Sequence, residues 1–220
     1  VHNEHVLVDG TKMSKSLGNF FTLRDLEEKG FVPLAFRLLV LQGHYRGSVN
    51  FSWEGLAEAQ ERLFKWRDAA ALRWQIQLPQ ITEGDRAKVT NELLDEIRTV
   101  MGIDLKTPAA ITYIEEYLNT INQHLAENRF DADELTTIEY FFSILDELFG
   151  LGIIGSTPDI NETAKDLLVQ RANARSKKDW KSSDDLRDEL KRHGINVRDD
   201  KNGQTWSYAT GVIETPYFCL

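Results

Sequence analysis

A chain of 220 residues with 41% hydrophobic and 28% charged residues has the composition of an ordinary globular protein, which excludes disordered and fibrous classes. Its single cysteine, Cys219, excludes an intrachain disulfide and a cysteine-rich metal site built from these residues. We expect a cytoplasmic protein with no membrane partner, because no apolar run approaches the ~20 residues of a spanning helix and the first residues lack a signal-peptide pattern.

The net charge of −9 is unevenly distributed along the chain. Residues 83–162 hold 17 acidic and 5 basic side chains, so the remainder has a small positive excess. Residues 171–192 hold eight basic and five acidic side chains and could face a phosphate backbone. Taken alone, this segment is as well explained by a solvated helix face.

The first twenty residues predict a strand at residues 6–8, a turn at Asp9-Gly10 and a polar exposed loop. Hydrophobic residues then recur at helical spacing, and Thr22, Ser52 and Asp131 are suited to cap three of the helices. The helices that we predict span about residues 22–30, 34–41, 52–74, 85–101, 107–126 and 131–149.

These helices predict an antiparallel bundle over residues 22–152. In the last of them one buried stripe is formed by apolar residues that advance by three and four, namely Leu135, Ile138, Phe142, Leu145 and Leu148. In the long helix before residue 74 the corresponding residues are Leu56, Leu63, Trp66 and Ala70.

Residues 152–160 are rich in residues that break secondary structure, namely glycines and Pro158. This composition is typical of a linker, and we place a domain boundary there. Two helices, at about residues 161–174 and 180–193, precede a β-hairpin whose turn we place at residues 199–203. The predicted fold class is mainly α, an antiparallel helical bundle followed by a small α+β domain with a C-terminal β-hairpin. Its predicted divisions are residues 1–21, 22–155 and 160–220. The apolar residues of the tail from Ser207 to Leu220 could form an added strand or pack on the last domain.

The polar loop carries the first chemical signal, the run Lys12-Met13-Ser14-Lys15-Ser16 followed by Leu17-Gly18-Asn19. Two lysines three residues apart among hydroxyl side chains suit a polyphosphate, because ammonium groups stabilise the charge that builds on a departing pyrophosphate. A mobile loop can bring them in and release the product. For a lone Lys-x-x-Lys pair, a solvated basic turn is the commoner explanation.

The run Lys-Met-Ser-Lys-Ser resembles the second signature of class I aminoacyl-tRNA synthetases. Together with Phe20-Phe21, His44-Tyr45-Arg46 and Asn50-Phe51-Ser52, it makes the chain very similar to cysteinyl-tRNA synthetases. The resemblance implies a catalytic role for Lys15, which would contact ATP phosphates, assisted by Lys12. It also implies an ATP-binding loop that consists of Lys12, Met13, Ser14, Lys15 and Ser16.

The resemblance covers only half of a catalytic site. The family's His-x-Gly-His signature and its zinc-binding cysteines do not occur in this sequence. We therefore expect the carboxy-terminal half of such an enzyme, which by itself neither activates cysteine nor holds zinc. The resemblance implies ATP with Mg²⁺ as a substrate of the whole enzyme, and zinc and cysteine bound in its other half.

A second resemblance lies in residues 171–190, which match the family's Arg-x-x-Ala-Arg-x-x-Lys-Asp-Trp-x-x-x-Asp segment. In that family the segment belongs to a small domain that binds the anticodon loop. It implies an anticodon-binding set of Arg175, Trp180, Asp184 and Asp199. The chemistry suits this task, because unpaired bases stack on aromatic rings and guanidinium planes, and carboxylates accept from the edge of guanine.

Each of these residues also has a purely structural interpretation. Arg175 with Asp179, and Asp184 with Asp188, are helical neighbours at a spacing of four, and Trp180 could be buried in a core. His44, Tyr45 and Arg46 are polar candidates at the catalytic end or, as we favour, interdomain packing residues. Residues 102–108 depart from the family pattern, so no role is predicted for them.

The implied partner is the tRNA for cysteine, and the implied reaction is its esterification with cysteine at the expense of ATP. A related ligase that joins cysteine to an amino-sugar lacks an anticodon domain, and the match at residues 175–206 argues against it. Two further alternatives are a free-standing tRNA-binding module and a helical interaction scaffold without chemistry. Salt-sensitive tRNA binding would exclude the scaffold.

Overall fold

The structure is a computed structural model that describes residues 4–75, 86–126, 132–200 and 203–209. Its strands are β1 (Val6–Val8), β2 (Thr11–Lys12), β3 (Val49–Phe51), β4 (Ile195–Asp200) and β5 (Gly203–Tyr208). Its helices are α1 (Leu23–Glu28), α2 (Pro33–Leu41), α3 (Trp53–Ala71), α4 (Arg86–Gly102), α5 (Thr107–Ala126), α6 (Ala132–Phe149), α7 (Glu162–Ser176) and α8 (Trp180–Arg192). Among the described residues, no helix is both long enough and apolar enough to cross a membrane.

The amino-terminal strands form a small mixed sheet in the order β2, β1, β3. β1 and β2 form a hairpin through Asp9 and Gly10, whose φ values of 47° and 75° suit the tight turn that right-twisted strands prefer. β3 lies parallel to β1 and was not predicted, because three residues show no periodicity of their own. Its position follows from pairing with β1, in which Val6 pairs with Val49, 43 residues later in the chain.

Capping chemistry sets the helix starts. Thr22 Oγ1 accepts a hydrogen bond from Asp25 N at 3.3 Å, and Asp25 Oδ2 accepts one from Thr22 N at 2.6 Å, which completes the predicted capping box. Pro33 occupies the first turn of α2, and Ser52 Oγ accepts from Gly55 N at 3.0 Å to start α3. The cap predicted at Asp131 lies outside the described residues.

The bundle core lies between α3, α4, α5 and α6. Leu56, Leu63, Trp66 and Ala70 of α3 are buried as predicted. Ile138, Phe142 and Leu145 of α6 are also fully buried, whereas Leu148 is 36% exposed and its predicted burial is wrong. At ~100° per residue Leu148 points about 80° away from Ile138, while Phe149 points only about 20° away and is buried instead. The side chain of Leu135 is outside the described part of the chain.

The carboxy-terminal unit packs α7 and α8 against the hairpin β4–β5 around Leu167, Leu190, Ile195 and Trp206. The hairpin is confirmed, but the predicted turn was too long. Asp199 pairs with Gln204 inside the ladder, so Asp199 is a strand residue rather than a turn residue. The predicted fold class, a helical bundle followed by a small α+β unit, is confirmed. The first residues of the predicted tail, Ser207 and Tyr208, belong to β5, and the part of the tail after residue 209 lies outside the described residues.

The end of α6 is held by a glycine and an arginine. Gly150 has a φ of 62°, and its carbonyl accepts a hydrogen bond from Arg37 Nη1 at 2.8 Å. A Cβ at position 150 would overlap that nitrogen and would also strain the backbone. The helix end therefore favours glycine for two separable reasons.

We expect Gly150→Ala to lower the free energy of unfolding by about 1–2 kcal/mol. Urea denaturation of Gly150→Ala, Arg37→Ala and the double variant measures both contributions. Because the two residues share one contact, the cost of the alanine at 150 should be smaller when Arg37 is already absent. Strict additivity would show that Arg37 has no part in the requirement for glycine. Gly30→Ala, with a φ of 84° and no neighbour within 4 Å of an added Cβ, measures backbone strain alone.

Candidate nucleotide loop and nucleic-acid interface

The lysine loop is built around a single 3₁₀ turn, Lys15–Leu17. Ser14 caps it, since Ser14 Oγ accepts a hydrogen bond from Leu17 N at 3.3 Å. Gly18 ends it with a φ of 67°, and its N–H donates to the carbonyl of Lys15 at 3.2 Å. The small hydroxyl and glycine residues of the motif thus fix a tight turn whose middle residues include Lys15.

Asn19 closes the loop on itself. Its Oδ1 accepts from Ser14 N at 2.8 Å, and its Nδ2 donates to the carbonyl of Lys12 at 3.2 Å. Asn50, from β3, accepts from Gly10 N at 2.7 Å and ties the preceding turn to the sheet. These two amides were not predicted as functional residues, and the one sequence signal for Asn19 is its place directly after the glycine that ends the motif.

Both lysines of the loop project from it into solvent. Lys12 lies on β2 and Lys15 in the 3₁₀ turn, and both are exposed. Lys15 Nζ lies 5.3 Å from the centroid of the Phe20 ring, a cation–π contact that limits where the ammonium group can sit. Ser14 and Ser16 are joined through their hydroxyl groups at 3.2 Å. The loop therefore presents two cations and two hydroxyl groups on a short, internally bonded segment.

A buried ion pair organises the carboxy-terminal unit. Arg171 of α7 is fully buried and holds Asp199 of β4 through two parallel hydrogen bonds, Nη1 to Oδ1 at 2.8 Å and Nη2 to Oδ2 at 2.7 Å. Arg171 Nη1 also donates to Gln204 Oε1 at 2.8 Å, and Gln204 Nε2 donates to the carbonyl of Leu168 at 2.7 Å. The hydrogen bonds from Arg171 hold the pKa of Asp199 below its usual value.

Arg175 and Trp180 lie on the solvent side of this pair. Arg175 Nη1 is 3.3 Å from Asp199 Oδ2, and the Arg175 guanidinium carbon lies 5.5 Å from the Trp180 ring centroid. Trp180 is 56% exposed, so the interpretation of Trp180 as a core residue is wrong. The structure thus brings three of the predicted residues, Arg175, Trp180 and Asp199, into one surface.

The fourth predicted residue reaches this surface indirectly. Asp184 Oδ1 bonds Arg187 Nη2 at 2.8 Å, and the positive charge of Arg187 also contributes to the lowered pKa of Asp199. Asp184 therefore pairs with Arg187 and not with Asp188. Asp179, the other candidate neighbour, instead caps α8 by accepting from Ser182 N at 3.1 Å.

Sequence reasoning missed Arg171, Arg187 and Gln204. Arg171 opens the matched segment one helical turn before Arg175, and that spacing was the available signal that both face β4. Nothing in the sequence distinguished Arg187 from the other basic residues of α8, because its role depends on the hairpin that packs beside it.

The His44-Tyr45-Arg46 segment is bound to the loop between α4 and α5. Tyr45 OH donates to Asp104 Oδ1 at 2.5 Å, and Arg46 Nη2 donates to the same atom at 2.8 Å. His44 Nε2 lies 3.0 Å from the carbonyl oxygen of Asp104, and the hydrogen bond from Tyr45 is the main cause of the lowered pKa of Asp104. These contacts agree with a packing role for the His44-Tyr45-Arg46 segment. They also give a structural role to residues 102–108, the stretch that departs from the family pattern, because Asp104 lies in it.

Comparison with known proteins gives two family matches at opposite ends of the chain. Residues 1–61 match the family described as the tRNA synthetases class I (C) catalytic domain. Residues 157–206 match the family described as the Cysteinyl-tRNA ligase anticodon binding domain. The first range contains the whole lysine loop, and the second contains Arg171, Arg175, Trp180 and Asp199.

Curated relatives match nearly the whole chain. This chain is 35% identical over 212 residues to the cysteine–tRNA ligase of Chlamydia muridarum, and the match covers 92% of this chain and 44% of that protein. It is 34% identical over 214 residues to the enzyme of Chlamydia trachomatis, covering 92% and 45%, and 33% identical over 212 residues to that of Leptospira interrogans, covering 94% and 45%. The chain thus spans less than half the length of these relatives.

Proposed function

We infer the function of this chain from the family to which it belongs, the cysteinyl-tRNA synthetases. We propose that the whole protein is a cytoplasmic enzyme that activates cysteine with ATP and transfers it to the tRNA for cysteine. This chain supplies the ATP loop and the anticodon interface, within divisions at residues 1–21, 22–155 and 160–220. The observation that carries the proposal is the presence of both family matches, each containing one candidate site, in a single chain.

The lysine loop acts on the phosphates of ATP. When the cysteine carboxylate attacks the α-phosphorus, negative charge develops on the departing pyrophosphate. The exposed ammonium group of Lys15, assisted by that of Lys12, stabilises this charge more strongly than the ground state, which accelerates the step. Ser14 and Ser16 shape the turn that presents Lys15, and Met13 packs against the core of the sheet below it. Mg²⁺ enters with ATP as part of the substrate.

The anticodon interface combines a stacking platform with hydrogen-bonding groups. Trp180 offers an exposed ring face, and Arg175 is held beside it by Asp199. Asp199 Oδ1 accepts one bond from Arg171 and retains a lone pair for a base, while Asp184 is an exposed carboxylate one helical turn after Trp180 and is paired with Arg187. These groups suit the guanine of the cysteine anticodon, whose edge donates to carboxylates.

The cysteine pocket and the zinc site are assigned to parts of the enzyme other than this chain. Among the described residues, no group of three or more histidine, cysteine, aspartate or glutamate side chains lies close enough to hold a metal ion. The donor set of a thiolate zinc site also requires more than the one cysteine that this sequence holds. Because the chain spans less than half the length of its relatives, we expect the 220 residues to bind tRNA without activating cysteine.

Trp180→Ala tests the anticodon assignment. Loss of one base-stacking contact should raise the Kd for the tRNA about 10–100-fold and lower the charging efficiency of the intact enzyme by a similar factor. ATP–pyrophosphate exchange in the absence of tRNA should stay within about twofold, since Trp180 is not part of the ATP loop. Filter binding and exchange assays measure the two effects.

Trp180→Phe is the matched control, because it keeps an aromatic face and should recover most of the affinity. Equal losses of charging and exchange in Trp180→Ala would show that the residue has a structural role only. No binding of tRNA by the unaltered chain would favour a helical scaffold, and binding without any charging by the intact protein would favour a free-standing RNA-binding module.

A further inference from the structure

A short 3₁₀ turn, Leu72–Trp74, follows α3, and Gln75 at its end contacts the carboxy-terminal hairpin. Gln75 Oε1 accepts from Trp206 N at 2.8 Å, and Gln75 Nε2 donates to the carbonyl of Trp206 at 2.9 Å. The side-chain amide therefore pairs with β5 as a neighbouring strand would, on the edge that faces away from β4. It satisfies main-chain groups that an open sheet edge otherwise leaves unpaired.

The same turn of chain binds the segment that joins the bundle to the carboxy-terminal unit. Arg73 Nη2 donates to the carbonyl of Thr157 at 2.6 Å, and Arg73 Nη1 donates to Thr157 Oγ1 at 2.9 Å. Trp74 Nε1 donates to the same carbonyl at 2.9 Å. Thr157 is fully buried, so water does not compete for these bonds.

Apolar packing continues across this junction. Ala71 is fully buried, and it belongs to the core of the carboxy-terminal unit together with Ile160 and Trp206 rather than to the bundle core. Residues 71–75 thus contribute packing, a guanidinium group and an amide to a unit that begins more than 80 residues later in the chain. We call these five residues the coupling segment.

We propose that the coupling segment fixes the orientation of the anticodon interface relative to the rest of the chain, with Gln75 as a positioning residue for tRNA. This inference rests on the proposed function. A tRNA that touches a second surface of the enzyme as well as the anticodon interface gains affinity from the second contact only if the two surfaces are held at the right separation and angle. An anticodon stem-loop touches one surface and does not need that alignment.

The test compares two RNA ligands on the 220-residue chain. For Gln75→Ala, filter binding should show about a tenfold loss of affinity for the whole tRNA and no more than about a twofold change for its anticodon stem-loop. Gln75→Glu should behave alike, because a carboxylate keeps the size but cannot donate to the Trp206 carbonyl. A merely structural role would change both affinities or neither.

Gln60→Ala, in α3, is a matched control. Gln60 Oε1 accepts from Val32 N at 2.8 Å and Gln60 Nε2 donates to the carbonyl of Gly30 at 3.4 Å, so it makes the same kind of bonds inside one part of the chain. It should change stability without changing the ratio of the two affinities. Equal losses for both ligands in Gln75→Ala, or no loss for the whole tRNA, would overturn the proposal. Failure of the unaltered chain to bind either RNA would refute the proposed function instead.

Discussion

Asp199→Ala is expected to destabilise the carboxy-terminal unit by about 3 kcal/mol or more, the largest stability effect that we expect from a single substitution in this chain. The reason is the burial of its partner. Arg171 has no exposed side-chain surface, and removal of the carboxylate leaves its guanidinium with only Gln204 as a described hydrogen-bond acceptor. A unit of about fifty residues has little stability to spare, so it should unfold before the bundle does.

Chemical denaturation followed by tryptophan fluorescence measures this loss, because Trp206 reports on the core of the unit and is 7% exposed. Asp184→Ala is the control, since Asp184 and Arg187 are both largely exposed and their pair should contribute no more than about 0.5 kcal/mol. A similar effect of the two substitutions would contradict the assignment of Asp199 to a buried ion pair.

The same ion pair predicts a dependence on pH. The pKa of Asp199 is lowered in the folded chain, chiefly by the hydrogen bonds from Arg171, from an ordinary value of about 3.9. Its contribution to stability is therefore fully present above about pH 4 and is lost as the pH falls through the lower folded-state value. The unfolding free energy of Asp199→Ala should fall less steeply than that of the unaltered chain in this acid range.

Local signals predicted the helices well because their causes are local. The capping box at Thr22, Pro33 at a first turn and the serine cap at Ser52 each depend on residues within four positions of one another. β3 was missed because its cause is a strand 43 residues away, and the hairpin turn was predicted too long because its length also depends on a distant residue. Asp199 stays in the ladder since Arg171, in another element, holds its carboxylate.

The candidate sites divide in the same way. The residues of the motifs could be identified from the sequence. The residues that position them through hydrogen bonds could not. Asn19, Arg171 and Gln75 each act through main-chain or buried contacts that only the folded chain creates. Arg171 is the sharpest case, because its residue type and its basic neighbours favour a surface position, yet it is fully buried, and among the described residues only Arg67 is a comparably buried charged side chain.

Lys15→Ala is expected to slow ATP–pyrophosphate exchange by the intact enzyme about 10²–10³-fold, while the Kd for tRNA changes by no more than about twofold. The 3₁₀ turn that carries Lys15 is bonded through Ser14, Gly18 and Asn19, so the substitution removes an ammonium group without removing the turn. Lys15→Arg keeps the charge in a bulkier, planar form and should recover activity only in part.

Lys29→Ala is the matched control for Lys15→Ala. Lys29 is also an exposed lysine beside an aromatic ring, with its Nζ 4.8 Å from the centroid of Trp53, but it lies outside the motif. Loss of its charge should leave exchange unchanged, which separates a local effect of Lys15 on the departing pyrophosphate from a general effect of charge. If both variants slow exchange equally, the lysine of the loop acts only through the overall electrostatic field of the protein. If Lys15→Ala weakens tRNA binding and spares exchange, the loop is part of the tRNA surface and its assignment to ATP is wrong.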